Sequence, residues 1–267
     1  MVSSAAGGLF LDEQGKGAPV VLLHSSGMSG RQWKRLASSL VESEYRAIVP
    51  DLSGHGRSPS WNESEPFSYR VDVQRIGTLL ETLDAPAHIV GHSYGGLIAI
   101  LAAQAAPERV RSLALYDPVA FGALDPARDA EAIASVKAVG LPWDPSEAGR
   151  AAWLEMFVDW WGGRGAWKAL REEARAEFRR VAFASFYGAS TLATDTTPAT
   201  AYRVLQAPML FLTGEHTPKA AQIVGTRIAE AVPNARVEVI EGAGHMGPLT
   251  HADIVAARIA AFVKEAS

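Results

Sequence analysis

AHIVGHSYGGLIAILAAQAA, residues 87–106, decides the fold. Its first part is a short apolar run of strand length, and its last part is an apolar stretch of helical length, so a strand turns straight into a helix at GHSYGG. Glycines stand two residues to either side of Ser93, which leaves room for the chain to reverse without a Cβ clash. G-x-S-x-G in this strand–turn–helix context holds its serine in a strained backbone at the tip of a strand. The following helix begins at the turn, so its free N–H groups and dipole face any negative charge that develops beside Ser93, and the Tyr94 N–H is the natural donor. With strand and helix both in place, a plain Gly-rich turn bearing a surface serine is the weaker reading.

Outward from this stretch, similar apolar runs recur: APVVLLH at 18–24, YRAIVP at 45–50, RSLALYDP at 111–118, APMLFLTG at 207–214 and ARVEVIEG at 235–242. Each ends in Gly, Pro, Ser, Asp or His, as buried parallel strands do, and GGLFLDEQG reads as an edge strand that opens the sheet. Helical spacing falls at 30–43, 68–84, 95–106, 218–231 and 251–265. The order β-α-β-α predicts an α/β fold with a doubly wound, mostly parallel sheet, whose ligands bind beyond the carboxyl ends of the strands.

The alternation breaks once, between Pro118 and Ala199, where no convincing strand occurs. SEAGRAAWLEMFVDWWG puts Trp153, Met156, Phe157, Trp160 and Trp161 on one helical face, and GAWKALREEARAEFRRVAFASF repeats the pattern with Trp167, Leu170, Ala174, Phe178 and Val181. The expected organisation is a core of residues 1–118 and 200–267 with a helical cap from 119–199 inserted over the carboxyl edge of the sheet. Trp143, Trp153, Trp160, Trp161 and Trp167 fall inside the cap. Trp153, Trp160 and Trp161 are candidates for the wall of an apolar substrate pocket, the competing reading being that a small cap needs large side chains for its own core.

Composition narrows the chemistry. The 267 residues are 48% hydrophobic and 20% charged, an ordinary globular balance. With no cysteine there can be no disulfide, thiolate metal site or cysteine nucleophile. A net charge of −4 without a long basic run excludes the electrostatic footprint of a nucleic-acid binder, so a small molecule is the expected partner. No segment approaches the ~18 apolar residues of a membrane span, and MVSSAAGGLF has neither a basic start nor a long apolar stretch, so a cytoplasmic protein is expected.

Among seven histidines, His245 lies in a Gly-rich loop after the last strand, a loop that can bring imidazole above Ser93. His92 should point away from the serine across the turn, His88 begins a strand and His251 opens the last helix.

The elbow, HSSGMSGRQW after the first long strand, DLSGHGRS after the next and GAGHMGP after the last resemble the α/β-hydrolase superfamily over most of the chain. The resemblance implies that Ser93 is the nucleophile and His245 its general base, that His24 and His55 are structural, and that the Ser26 N–H joins that of Tyr94 in an oxyanion hole. Ser25 stands where the family usually has glycine, and HSSG gives some support to the hydrolases of carbon–carbon bonds, which often read HGSG. The family's usual acid follows the strand APMLFLTG in a GxxD turn, but here that turn reads GEHT, with Thr217 in the acid's place. Glu215 is nearby, while Asp117 ends the preceding strand, where some relatives such as haloalkane dehalogenases carry their acid. Asp117 is preferred, because Pro118 restricts its predecessor to extended conformations and so fixes its pose, and Glu215 is the alternative.

These features lead to a serine hydrolase that cleaves a carboxylic ester or lactone of a small apolar substrate through an acyl-enzyme, with no cofactor and no metal. Carbon–carbon bond hydrolases and cofactor-free haloperoxidases of the same fold use serine too, and a hydrolase-fold ligand receptor with little turnover is the rival from another class.

Overall fold

The computed structural model describes residues 2–4, 8–65, 67–139, 144–192 and 194–267, so Trp143 lies outside the described residues. The strands are β1 (Val2–Ser4), β2 (Phe10–Gly15), β3 (Pro19–Leu23), β4 (Arg46–Asp51), β5 (Ala87–His92), β6 (Val110–Tyr116), β7 (Met209–Gly214) and β8 (Ala235–Ile240). They form one sheet in the order β1-β2-β4-β3-β5-β6-β7-β8. Pairing is parallel from β4 through β8 and antiparallel where β2 meets β4 and β1 meets β2. The expected alternation therefore holds from β3 onward. The opening strand is not the outermost one, because β1 adds beyond it, and no helix separates β2 from β3.

Helices α1 (Lys34–Glu42), α2 (Tyr69–Thr82), α3 (Tyr94–Ala105), α9 (Lys219–Ala231), α10 (Gly247–Thr250) and α11 (Ala252–Glu265) connect or follow the strands. Alternate residues of each inner strand face opposite layers. Val21 and Leu23 of β3, Leu113 and Leu115 of β6, and Met209 and Phe211 of β7 join Leu79, Leu97 and Val224 of α2, α3 and α9. Val20, Leu22, Ala114, Leu210 and Leu212 join Leu36 of α1 and Ile259 of α11. Both faces are covered, which is why these strands read as unbroken apolar runs.

Between β6 and β7 the chain builds α4 (Ala130–Ala138), α5 (Glu147–Gly162), α6 (Ala166–Ala169), α7 (Glu172–Arg180) and α8 (Ala182–Leu192). The apolar face from Trp153 to Trp161 is one continuous helix, α5, as its spacing predicts. The second patterned stretch is three helices instead. Leu170 and Arg171 are extended (ψ 142° and 154°) and end α6 before α7 starts, while the Asp159 carboxylate holds the Gly165 and Trp167 N–H groups at 2.8 Å. Trp153, Leu154, Trp167, Phe178 and Ala182 make a small core of their own. The start of α4 is tied to the main body, because buried Asp129 takes two bonds from Arg227 of α9 (2.6 and 2.8 Å).

Candidate active site

At the turn between β5 and α3, Ser93 has φ +54° and ψ −117°. The turn is so tight that a Cβ on Gly91 would come within 2.6 Å of the Gly95 carbonyl, and one on Gly95 within 2.5 Å of the Leu23 and His24 carbonyls. Only glycine fits at either position, and the backbone strain at Ser93 is held by its surroundings. The Ser93 N–H donates to the Tyr116 carbonyl (2.9 Å), and the Gly96 and Leu97 N–H groups donate to the Ser93 carbonyl. Tyr94 opens α3, so its N–H has no carbonyl one turn earlier in the helix to serve. Its phenol donates to buried Asp72 (2.8 Å), which also accepts from the Ser53 N–H and hydroxyl.

Asp117 sits beside this elbow for a simple reason of register. β5 and β6 are neighbours and pair His92 with Tyr116, so Ser93 and Asp117 are the next residues along two adjacent strands. Asp117 has φ +43°, not the extended backbone that Pro118 predicts; a left-handed bend, rather than the proline rule, sets its pose. Its Oδ2 lies 3.2 Å from His245 Nδ1, and His245 Nε2 lies 3.0 Å from Ser93 Oγ. The three side chains thus form a continuous line, all buried.

The other candidate acid is not brought to the imidazole. Glu215 is half exposed and its Oε2 accepts the Gly242 N–H at 2.9 Å, closing the turn after β8. Thr217 does contribute, since its hydroxyl donates to Asp117 Oδ2 (2.7 Å). The position read from sequence as a missing acid is a hydrogen-bond donor to the acid one strand over. The Thr213 hydroxyl also faces this carboxyl, but neither it nor Asp117 Oδ1 has a well-aligned hydrogen bond.

Burial pushes the His245 imidazole down to about 3 and the Asp117 carboxyl up to about 8, the Thr213 and Thr217 hydroxyls drawing the carboxyl part of the way back. Both shifts come from desolvation and both favour a neutral imidazole. With Nδ1–H donating to Asp117, Nε2 is left as an acceptor for the Ser93 hydroxyl, and a proton can pass along that bond.

The loop that carries His245 is fixed from below. The His92 ring turns to this loop, where its Nε2–H donates to the His245 carbonyl (2.8 Å). The Tyr116 hydroxyl donates to the Gly244 carbonyl (2.8 Å), and the His216 N–H to that of Ala243 (2.8 Å). His24 and His55 are brackets too. The Nε2 of His24 accepts the Leu52 N–H and that of His55 the Gly27 N–H, so the segment carrying Ser26 is tied to the loop after β4. Ser25 fits without glycine's freedom because both its N–H and its hydroxyl donate to Gln32 Oε1.

Ser93, Ser26 and Tyr94 open onto a cavity of about 360 Å³, otherwise walled mainly by apolar residues, including Val119, Phe121, Trp153, Phe157, Trp160 and Trp161. A larger, more polar cleft of about 650 Å³ lies between the single helical turn of residues 30–33, α1 and α7, away from the serine. The tryptophan candidates divide. Trp153 is buried against Phe157 and Phe186 and belongs chiefly to the small core of the inserted helices, with one edge at the cavity. Trp160 and Trp161 form the wall, and Trp161 stacks on the His245 ring (3.7 Å between centroids, 19° between planes). Nothing in the helical spacing distinguishes Trp161 from its neighbours, so this contact had no sequence signal. Among the described residues no cluster of His, Asp and Glu is placed to hold a metal ion.

A parallel sheet with a serine at a strained strand–helix elbow and a histidine above it defines a class, the α/β hydrolases. The chain belongs to the alpha/beta hydrolase family, whose family model matches residues 20–258. It is 32% identical to BpoC of Mycobacterium tuberculosis, a non-heme bromoperoxidase by name, over 90% of this chain and 91% of that protein. It is 40% identical to Lipase LipV of the same organism over 49% of this chain, a match that spans about half of that lipase's length (48%). An esterase from Exiguobacterium antarcticum shares the fold with TM-score 0.74 at 19% identity, covering 96% of this chain and 95% of the esterase.

Proposed function

We propose that this protein is a serine hydrolase of carboxylic esters or lactones with a small apolar acyl group. The observation that carries the reading is the Ser93–His245–Asp117 line, 3.0 and 3.2 Å, opening onto an apolar cavity. Ser93 Oγ attacks the ester carbonyl while His245 Nε2 takes its proton, and the Ser26 and Tyr94 N–H groups face the oxyanion. His245 then gives the proton to the leaving alkoxide as the C–O bond breaks. Water attacks the acyl-enzyme, its proton passes to His245, and the acid leaves as the proton returns to Ser93. Asp117 keeps the imidazole in the tautomer with Nδ1 protonated. The inserted helices act as a cap over the carboxyl edge of the sheet.

The test is release of p-nitrophenol from short acyl esters. Ser93→Ala should lower kcat by ~10⁴ to 10⁶ while the fold is retained, because the elbow keeps its glycines; a variant that keeps a tenth of wild-type kcat would remove Ser93 from the mechanism. Tight small-molecule binding without turnover in the wild type would instead indicate a receptor.

A second reading rests on one observation, that BpoC, a bromoperoxidase by name, aligns over nine-tenths of the chain. Bromination of monochlorodimedone with peroxide and bromide at a rate above ester hydrolysis would favour it.

A further inference from the structure

We infer that Trp161 is a positioning residue for the histidine base: its indole face fixes the plane of the His245 ring and stabilises the imidazolium that forms when Ser93 gives up its proton. The inference rests on the reading of Ser93 and His245 given above and adds to it a residue from the inserted segment.

The His245 ring has hydrogen bonds only along its edge, at Nδ1 to Asp117 and at Nε2 to Ser93. Those two bonds leave the ring free to rock about the axis between them, so its faces must be held by packing. Two rings pack against it, and His92 is 4.9 Å away and tilted by 50°. Trp161 lies closer and flatter, at 3.7 Å and 19°, an overlapping parallel stack. Trp161 is itself braced by the edge of Trp160 at 4.4 Å and packs on the core that contains Val119 and Leu192.

Position and charge both matter here. His245 is only 3% exposed, so when it is protonated little water can solvate it, and Asp117 reaches only one of its nitrogens. An indole face has the most negative quadrupole of the aromatic side chains and attracts a cation laid over it, most strongly where water is excluded. His92, kept neutral by burial and by the neighbouring His245, is tilted and more distant and does not lay its face on the ring. The contact is stronger in the transition state than in the resting enzyme, which is the condition for raising kcat rather than binding.

The experiment compares wild type with Trp161→Leu, Trp161→Met and Trp161→Phe, all checked for unchanged Tm, in reaction with a small alkyl phosphonate that modifies the serine without filling the acyl pocket. Saturation gives a maximal labelling rate and an apparent Kd. The Leu and Met variants keep an apolar cover but lose the π face, and each should label about 3- to 30-fold more slowly with its Kd within twofold of wild type. Phe restores the face, and Trp161→Phe should recover most of the rate. Leu and Met rates within twofold of wild type, or a Phe variant as slow as they are, would overturn the inference, as would losses that fall in Kd alone. Should either aliphatic variant fail to fold, the other carries the comparison with Phe. Labelling that persists in Ser93→Ala would instead show that the reading of Ser93 has failed.

Discussion

Three described non-glycine residues have positive φ, and two of them, Ser93 and Asp117, stand side by side at the ends of β5 and β6. Strain at adjacent strand ends is tolerated where it aims side chains at a common point, here His245. The same burial that aims Asp117 works against its charge. An aspartate titrates near 3.8 when unfolded, and in the fold desolvation pushes it up to about 8. Below 3.8 the carboxyl is protonated in both states; as pH rises, the unfolded chain releases the proton first, so the stability contributed by the protonated group is lost on the way up to pH 8. Asp117→Asn removes this titration and should raise Tm relative to wild type by more at pH 9 than at pH 6, the difference being the equivalent of a few kcal/mol. Equal Tm differences at both pH values would show that the carboxyl is fully compensated. The same substitution should cost about 10² to 10⁴ in kcat with little change in KM, whereas Glu215→Gln should cost less than about tenfold. The reverse ranking would hand the orienting role to Glu215. For wild type, kcat/KM should fall tenfold per pH unit on the acid side of a limb near pH 8, because a proton added to the Asp117–His245 pair blocks the proposed base; a profile flat from pH 9 down to pH 6 would show the carboxylate to be far better stabilised than burial suggests.

Helix α5 carries both part of the cavity wall and the cover of the proposed base, since Trp160 packs edge-on with Phe121 in that wall (6.5 Å between ring centroids) while Trp161 stacks on His245. Trp160→Ala should therefore lower kcat/KM for long acyl esters by about tenfold or more and leave acetyl esters within about twofold, as expected when ~1.5 to 3 kcal/mol of apolar burial is lost. Equal losses along an acyl series of p-nitrophenyl esters would show that Trp160 supports the packing of α5 and not the substrate. The legibility of these elements follows their physics. The elbow was plain in the sequence because a strand, two fixed glycines and a helix all act locally, and α5 because a single apolar face has a period. The choice between Asp117 and Glu215 was not decidable in that way: both follow strands that end on the same edge, and only the pairing of His92 with Tyr116 puts one of them beside Ser93. The division of residues 165–186 into three helices was hidden because apolar spacing persists through the break at Leu170 and Arg171, whose cause is the backbone turn and the bonds made by Asp159. The stack of Trp161 on His245 joins residues from different elements and has no local signature.

Across the whole molecule, the carboxyl edge of the sheet is laced together by neutral histidines. His24 joins the loop after β3 to the loop after β4, His55 returns the tie through the Gly27 N–H, and His92 holds the loop after β8. In His24 and His55 the Nε2 atom must accept a backbone N–H, a role that protonation destroys. Burial lowers His24 and His245 to about 3 and His88 to about 4, and it lowers His55 and His92 as well. For a histidine so depressed, folded and unfolded states are alike above pH 6.5; below it the unfolded chain takes up protons that the folded one refuses, so stability is lost as pH falls. Five such histidines oppose one group, Asp117, which binds its proton more tightly in the fold, so the balance near pH 5 is proton uptake on unfolding. At ~1.4 kcal/mol per proton per pH unit, even two protons taken up cost ~3 kcal/mol between pH 6 and pH 5, a large part of the stability of many domains. The protein should therefore lose stability steeply between pH 6 and pH 5, above the range in which ordinary carboxylates titrate. Urea midpoints measured at pH 7, 6 and 5 should fall progressively, with a steeper drop in the second interval than in the first. A midpoint unchanged between pH 7 and pH 5 would mean that these imidazoles are protonated in the fold at little cost, and that the bonds from the Leu52 and Gly27 N–H groups do not depend on their neutrality.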